Sequence, residues 1–157
     1  GASRTVRAVL SDLKAGSVVT ISRSGPDHYG NLDRHQGTEL IVNATPVGMY
    51  PNTGVSPVDL RLFPNCEGVF DLIYNPAKTQ LLLEAERRGL LWSNGLGMLV
   101  AQAHAAAERF LARSIPVGRI VEITADLKKQ TCNLLLNGMR DPSQAVEPRS
   151  GRLRPGH

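Results

Sequence analysis

The chain has 157 residues, 41% hydrophobic and 20% charged, which is enough for one domain with its own core and ordinary for a soluble globular protein. The formal charge of +4 does not call for a nucleic-acid partner: Arg140, Arg149, Arg152 and Arg154 against Asp141 and Glu147 place half of the excess in residues 140–157, and 4% aromatic residues leaves few platforms for stacked bases. No run approaches the roughly 20 apolar residues of a membrane span, no leader of the secretory kind opens the chain, and the two cysteines, Cys66 and Cys132, lack companions at metal-ligand spacing, so a cytoplasmic protein with no membrane or metal partner and two buried thiols is expected.

Ser3 to Ala15 reads as a helix, with Val6, Val9, Leu10 and Leu13 on the i, i+3, i+4, i+7 stripe and Gly16 as its stop. The β-branched run Ser17 to Ser22 reads as a strand ending in Ser22-Arg23-Ser24. Gly25 to Gly37 is polar and rich in turn formers, a loop with at most one short helical turn. Glu39 to Ala44 is a strand whose continuous apolar run suits a parallel neighbour and cover on both faces. Pro51 to Asn65 is loop, with room for a turn of helix at Val58 to Leu62. Gly68 to Ile73 is a further strand, stopped by Tyr74-Asn75-Pro76, and Thr79 caps a helix from Gln80 to Arg88 with Glu84 and Arg88 paired on its outer face.

Trp92 leads into a helix that begins in Asn94-Gly95-Leu96-Gly97-Met98 and runs to about Arg113. At about 100° per residue, Leu96, Leu99, Val100, Ala103, Ala107 and Phe110 fall on one stripe, read as core. Met98 and Gln102, four apart, share a second face beside a helix N-terminus that Gly95 and Gly97 leave bare; the face suits a ligand wall, while the stretch taken alone favours a gap-filling Met98 and a solvated Gln102. His104 lies at the edge of the stripe and reads as a surface or half-buried residue. Ile115 to Lys129 reads as another helix and Cys132 to Met139 as a buried strand, while Arg140 to His157 has no periodicity and is expected to be disordered.

Four blocks stand in a fixed order: Gly1-Ala2-Ser3-Arg4, Asn43 to Pro51, Phe70 to Thr79 and Asn94 to Gln102. As a set they resemble the nucleotide-binding, C-terminal half of the shikimate dehydrogenases, from Gly1 to about Arg113. The resemblance implies an α/β class, with a Rossmann-like, doubly wound and mostly parallel sheet truncated at its N-terminus. Gly1-Ala2-Ser3-Arg4 looks like the tail of the family's Gly-Ala-Gly-Gly-Ala-Ser-Arg loop, whose strand and first glycines do not stand in this sequence. The domain plan expected is 1–113 for NADP binding, 114–139 as a helix and strand extension and 140–157 as a tail. The strand at Cys132 to Asn137 is expected to fill or border the gap in the sheet. Its Gly138-Met139 ending looks like the start of a shikimate kinase, but Arg140-Asp-Pro-Ser lacks the Gly-Lys-Ser/Thr of a phosphate loop, and no kinase activity is expected.

The cofactor implied is NADP. In a Rossmann unit an acid at the second strand end accepts the ribose 2′-OH of NAD, whereas an arginine among hydroxyls accommodates a 2′-phosphate; Ser22, Arg23 and Ser24 contain no acid. The family has a similar Asn-Arg-Thr there, so Arg23 matches and Ser22 departs. By resemblance Gly1, Ala2 and Ser3 meet the pyrophosphate, Ala44, Thr45 and Val47 line the nucleotide, and Leu72, Gly95 and Met98 meet the nicotinamide. Tyr74 and Gln102 are implied to reach shikimate or 3-dehydroshikimate. The family's proton chemistry belongs to a lysine and an aspartate of an N-terminal substrate domain, which is absent from this sequence. Lys14, Lys78, Lys128 and Lys129 match no catalytic motif, so no catalytic residue is assigned. The alternative expectation is a non-catalytic remnant or interaction module that no longer holds a nucleotide.

Overall fold

The computed structural model of the chain describes residues 1–112, 114–116, 118, 121–122 and 124–126. The chain divides into two units, Gly1–Ser114 and Ile115–His157. In the second unit Gly118, Val121, Glu122, Thr124, Ala125 and Asp126 are helical, within the helix expected from Ile115 to Lys129. The strand expected at Cys132 to Met139, its place in the sheet and the tail at 140–157 lie outside the described residues.

The first unit is built on three strands, β1 (Leu40–Asn43), β2 (Gly68–Asp71) and β3 (Leu91–Ser93), parallel and ordered β1-β2-β3. The register pairs Asn43 with Asp71 and Phe70 with Ser93, so the carboxyl ends of the strands lie together. Strand β3 escaped the sequence reading because three exposed residues, Leu91-Trp92-Ser93, carry no alternation to detect.

Helix α2 (Gln80–Arg87) connects β2 to β3 and packs on both. Thr79 accepts the Leu82 N–H at its N-terminus, as expected, and Gly89 at φ +70 ends it, with Leu90 N donating to Ala85 O. Its inner face is the centre of the core: Leu81, Leu82 and Ala85 are fully buried among Leu32, Leu60, Phe63, Cys66 and Val69. On its outer face Glu84 pairs closely with Arg87 at 2.6 Å and only loosely with the expected Arg88, at 4.0 Å. Single turns of 3-10 helix at Leu32–His35 and Leu60–Leu62 deliver Leu32 and Leu60 into the same core. Asp59 caps the second turn, and the Arg61 guanidinium bonded to it holds its carboxyl down to about 2.

The N-terminal part is packed differently. Helix α1 (Ala2–Asp12) ends before the expected Gly16, because Lys14 itself takes the left-handed conformation at φ +57 and its N–H bonds to Ser11 O. No residue of α1 is buried. Ser17 to Ser22, expected as a strand, has no ladder; Ser22 alone makes a bridge, to His28. A strand needs a neighbour for its backbone groups, and none of the described residues supplies one here. Val6 and Leu10 of α1, residues 17–21, and β1 together wall a cleft of about 760 Å³.

Among the described residues strand β1 is therefore an edge of the sheet, and Leu40 is 49% exposed, which departs from the expected cover on both faces. Glu39 O accepts from Glu67 N and Gly68 N, and Asn43 O from Leu72 N, so odd-numbered residues bond toward β2. In a parallel strand the alternate residues then turn their N–H and C=O the other way, and those of Leu40 and Val42 face the cleft.

Helix α3 (Leu96–Leu111) also departs from the reading of its stripe. Val100 is buried, but Leu99 is 38% exposed and Phe110 94%. Among the described residues α3 makes no extended packing with another helix or strand, so its apolar face has no cover to complete the burial.

Candidate functional site

At the aligned carboxyl ends, a fully buried carboxyl organises the loops. Asp71 closes β2, and its Oδ1 accepts from Asn43 Nδ2 at 3.1 Å and from Ile73 N at 3.0 Å, while Oδ2 accepts from Thr79 Oγ1 at 2.6 Å. Asn43, at the end of β1, accepts from Thr45 N at 3.0 Å and Thr45 Oγ1 at 2.7 Å. Val47 N in turn donates to Thr45 Oγ1 at 3.2 Å. Every donor in this chain has an acceptor, and no buried side-chain nitrogen or oxygen among the described residues lacks a partner.

The expected residues 44, 45 and 47 thus sit on a loop fixed by side-chain bonds rather than by a regular element. Leu72 and Tyr74 follow Asp71 on the next loop, with Leu72 partly buried and Tyr74 49% exposed. Tyr50 N donates to Asn75 O at 3.1 Å and joins these two loops directly.

The third stretch enters through Gly95, which is buried and whose N–H donates to Ile73 O at 3.1 Å. A Cβ at this position would overlap the Leu72 carbonyl, so only glycine allows the start of α3 to lie against the β2 loop. Asn94 Oδ1 accepts from Leu96 N at 3.2 Å, and its Nδ2 donates to Ala77 O at 2.8 Å, which ties the same helix start to the segment before α2. Met98 is half-buried and Gln102 exposed.

The remaining expected residues lie apart from this cluster. Gly1, Ala2 and Ser3 are exposed at the start of α1, where Gly1 offers no side-chain cap, and Ser3 borders the cleft with Ala44 and Thr45. The Ser22-Arg23-Ser24 turn is held from behind: Ser22 N donates to Asp27 O, Ser22 Oγ donates to Ser24 O, and Asp27 pairs with His35 at 2.9 Å. Arg23 is exposed and makes no ion pair among the described residues. His104 is half-buried, paired with Glu108 at 3.8 Å. Burial pushes the Cys66 thiol up, which suits a core residue and not a nucleophile. Among the described residues no cluster could hold a metal ion, and no helix is long and apolar enough to cross a membrane.

Sequence reasoning missed Asp71 and Asn43 as organisers. The available signal was an acid inside the apolar run Gly68 to Ile73, since a charge-bearing side chain in a buried strand needs several donors and so marks a network.

A parallel sheet with a crossover helix and loops gathered at its carboxyl ends defines an α/β protein of Rossmann-like architecture. No protein-family model matches the chain. A curated shikimate dehydrogenase (NADP(+)) of Microcystis aeruginosa is 45% identical over 141 residues, covering 74% of this chain and 49% of that protein. Among solved structures, a chorismate mutase/shikimate 5-dehydrogenase fusion protein from Clostridium acetobutylicum superposes with a TM-score of 0.76 at 33% identity, covering 83% of this chain and 52% of that one. The shikimate 5-dehydrogenase of Thermus thermophilus in complex with NADP(H) and shikimate gives a TM-score of 0.52 at 30% identity, over 64% of this chain and 38% of that one. The chain belongs to the shikimate dehydrogenase family and spans about half the length of such relatives.

Proposed function

We propose that residues 1–113 are the NADP-binding portion of a shikimate dehydrogenase, an oxidoreductase that interconverts 3-dehydroshikimate and shikimate. The observation that supports this most directly is the meeting of three stretches, 44–47, 72–74 and 95–98, at the aligned ends of β1 and β2, joined through Asp71 and Gly95. This is the crevice in which open α/β sheets hold nucleotides. The residues present suit a dinucleotide phosphate. Neither α1 nor α3 has a side-chain cap from its N-cap residue, and apart from Leu96 N, which donates to Asn94 Oδ1, this leaves first-turn N–H groups for phosphate or ring oxygens.

When bound, NADPH supplies the hydride. Around it, Gly1, Ala2 and Ser3 hold the pyrophosphate at the start of α1, and Arg23 with Ser22 and Ser24 takes the 2′-phosphate without an acid to repel it. Ala44, Thr45 and Val47 line the nucleotide, and Leu72, Gly95 and Met98 orient the nicotinamide. Tyr74 and Gln102 bind hydroxyl groups of shikimate or 3-dehydroshikimate. Lys78 is no proton donor in this arrangement: its ammonium bonds Glu86 at 2.7 Å and lies 4.8 Å from the centre of the Trp92 ring. Proton transfer is accordingly assigned to a separate substrate domain, and the site of action to the cytoplasm.

Calorimetric titration with NADPH and NADH tests the reading. NADPH is expected to bind in the micromolar range and NADH about tenfold or more weakly, a preference abolished in Arg23→Asp. A chain that unfolds cooperatively yet binds neither nucleotide would overturn it.

A further inference from the structure

We propose that Asp71 is a positioning residue for the nucleotide site, setting through one buried carboxyl the three stretches that meet there; the proposal rests on the reading just given. Asp71 touches none of the exposed surface itself. Its influence runs outward along two arms from Oδ1. One arm passes through Asn43 Nδ2 to Asn43 Oδ1, then to both the backbone and the hydroxyl of Thr45, and from that hydroxyl to Val47 N. The other passes through Ile73 N, whose own carbonyl receives Gly95 N at the entry to α3. The second oxygen serves a different purpose: it accepts from Thr79 Oγ1, which also accepts from Leu82 N and caps α2.

The two oxygens therefore divide the work. Oδ1 fixes the loops, and Oδ2 fixes the helix that carries the core. Hydrogen bonds between buried groups are directional, and a loop lacking a regular ladder depends on them for its geometry. Thr45 is the clearest case, since Asn43 Oδ1 receives both its donors, and Asn43 is in turn oriented by the carboxyl. A purely structural acid would have its partners within the core; here Asn43 and Ile73 lead out of the core to positions 45, 47 and 95.

Four variants separate the arms. Asp71→Ala removes both acceptors and is expected to weaken NADPH binding about tenfold or more and to speed amide exchange at Thr45 and Val47. Asp71→Asn keeps one acceptor oxygen, which Asn43 and Ile73 can share, and should restore affinity and exchange to within about threefold of the wild type while its melting temperature stays lower. Thr79→Val cuts the Oδ2 arm and should lower the melting temperature with NADPH affinity unchanged. Asn43→Ala breaks the loop arm beyond the carboxyl and should reproduce the affinity loss, which keeps the test open if Asp71→Ala does not fold.

Wild-type affinity and wild-type exchange in folded Asp71→Ala or Asn43→Ala would overturn the proposal, as would an affinity loss in Thr79→Val equal to theirs. A wild-type chain that binds no NADPH overturns the functional reading instead. The exchange rates at Thr45 and Val47, read without nucleotide, then still decide whether Asp71 sets the loop.

Discussion

Helices α1 and α2 carry similar sequence signatures and meet opposite fates. Each has apolar residues at helical spacing along one face. In α2 that face is fully buried at Leu81, Leu82 and Ala85, whereas α1 buries nothing and leaves Val9 49% and the Leu13 that follows the helix 73% exposed. The difference lies in what each face meets: α2 lies across β2 and β3, while α1 borders a cleft that β1 also lines. Periodicity states which face of a helix would be buried, and a packed neighbour decides whether it is.

The contrast can be broken by mutation, most sharply in the core. Leu82→Ala should cost about 2–5 kcal/mol in urea unfolding, because it empties a fully enclosed site, whereas Leu10→Ala should cost about 1 kcal/mol or less. Equal losses would show that α1 is as well packed as α2. The helix ends offer a smaller test. Gly89→Ala forces a side chain into the left-handed region and should destabilise by about 1 kcal/mol; Lys14→Gly relieves the same strain at the end of α1 and should stabilise that helix by up to about 1 kcal/mol.

Hydrogen exchange sharpens the comparison at the sheet. The amides of Leu40 and Val42, turned to the cleft, should exchange at least about tenfold faster than that of Val69 in the middle strand. Comparable protection at all three would mean that the outer edge of β1 is covered. The smallest effect is expected from pH. Burial raises the Cys66 thiol above its ordinary value of 9.0, so the folded state favours the neutral form. Its stabilising contribution is complete below pH 9.0 and declines as pH rises from there through the raised folded value. The fall of unfolding free energy above that pH should accordingly be shallower in Cys66→Val than in the wild type.

Much of the central architecture was legible. Thr79 as the cap of α2, the strands at Leu40–Asn43 and Gly68–Asp71, and the single helical turn in the loop before β1 all follow from residue type and spacing, since each depends on a handful of neighbours in the chain. Strand β3 was not, because its three exposed residues borrow their conformation from β2. Ser17 to Ser22 shows the reverse error: a β-branched run has the propensity for a strand, but propensity supplies no partner for its backbone. Of the candidate site, the stretches at 43–47, 70–74 and 94–98 were named from their motifs, while the buried bonds that join them were invisible in any one stretch.

By itself, the sequence determined the family, strands β1 and β2 with the capped start of α2, and the stretches expected to meet a ligand at the ends of β1 and β2. These are local matters of propensity, capping and motif, written within a few residues of each position. Only the tertiary structure decided which apolar faces are covered, that β1 is an edge among the described residues, and that Asp71 links Asn43, Ile73 and Thr79. The reason is physical: burial and a shared carboxyl both require groups distant in the chain to meet, and neither periodicity nor residue type specifies that meeting.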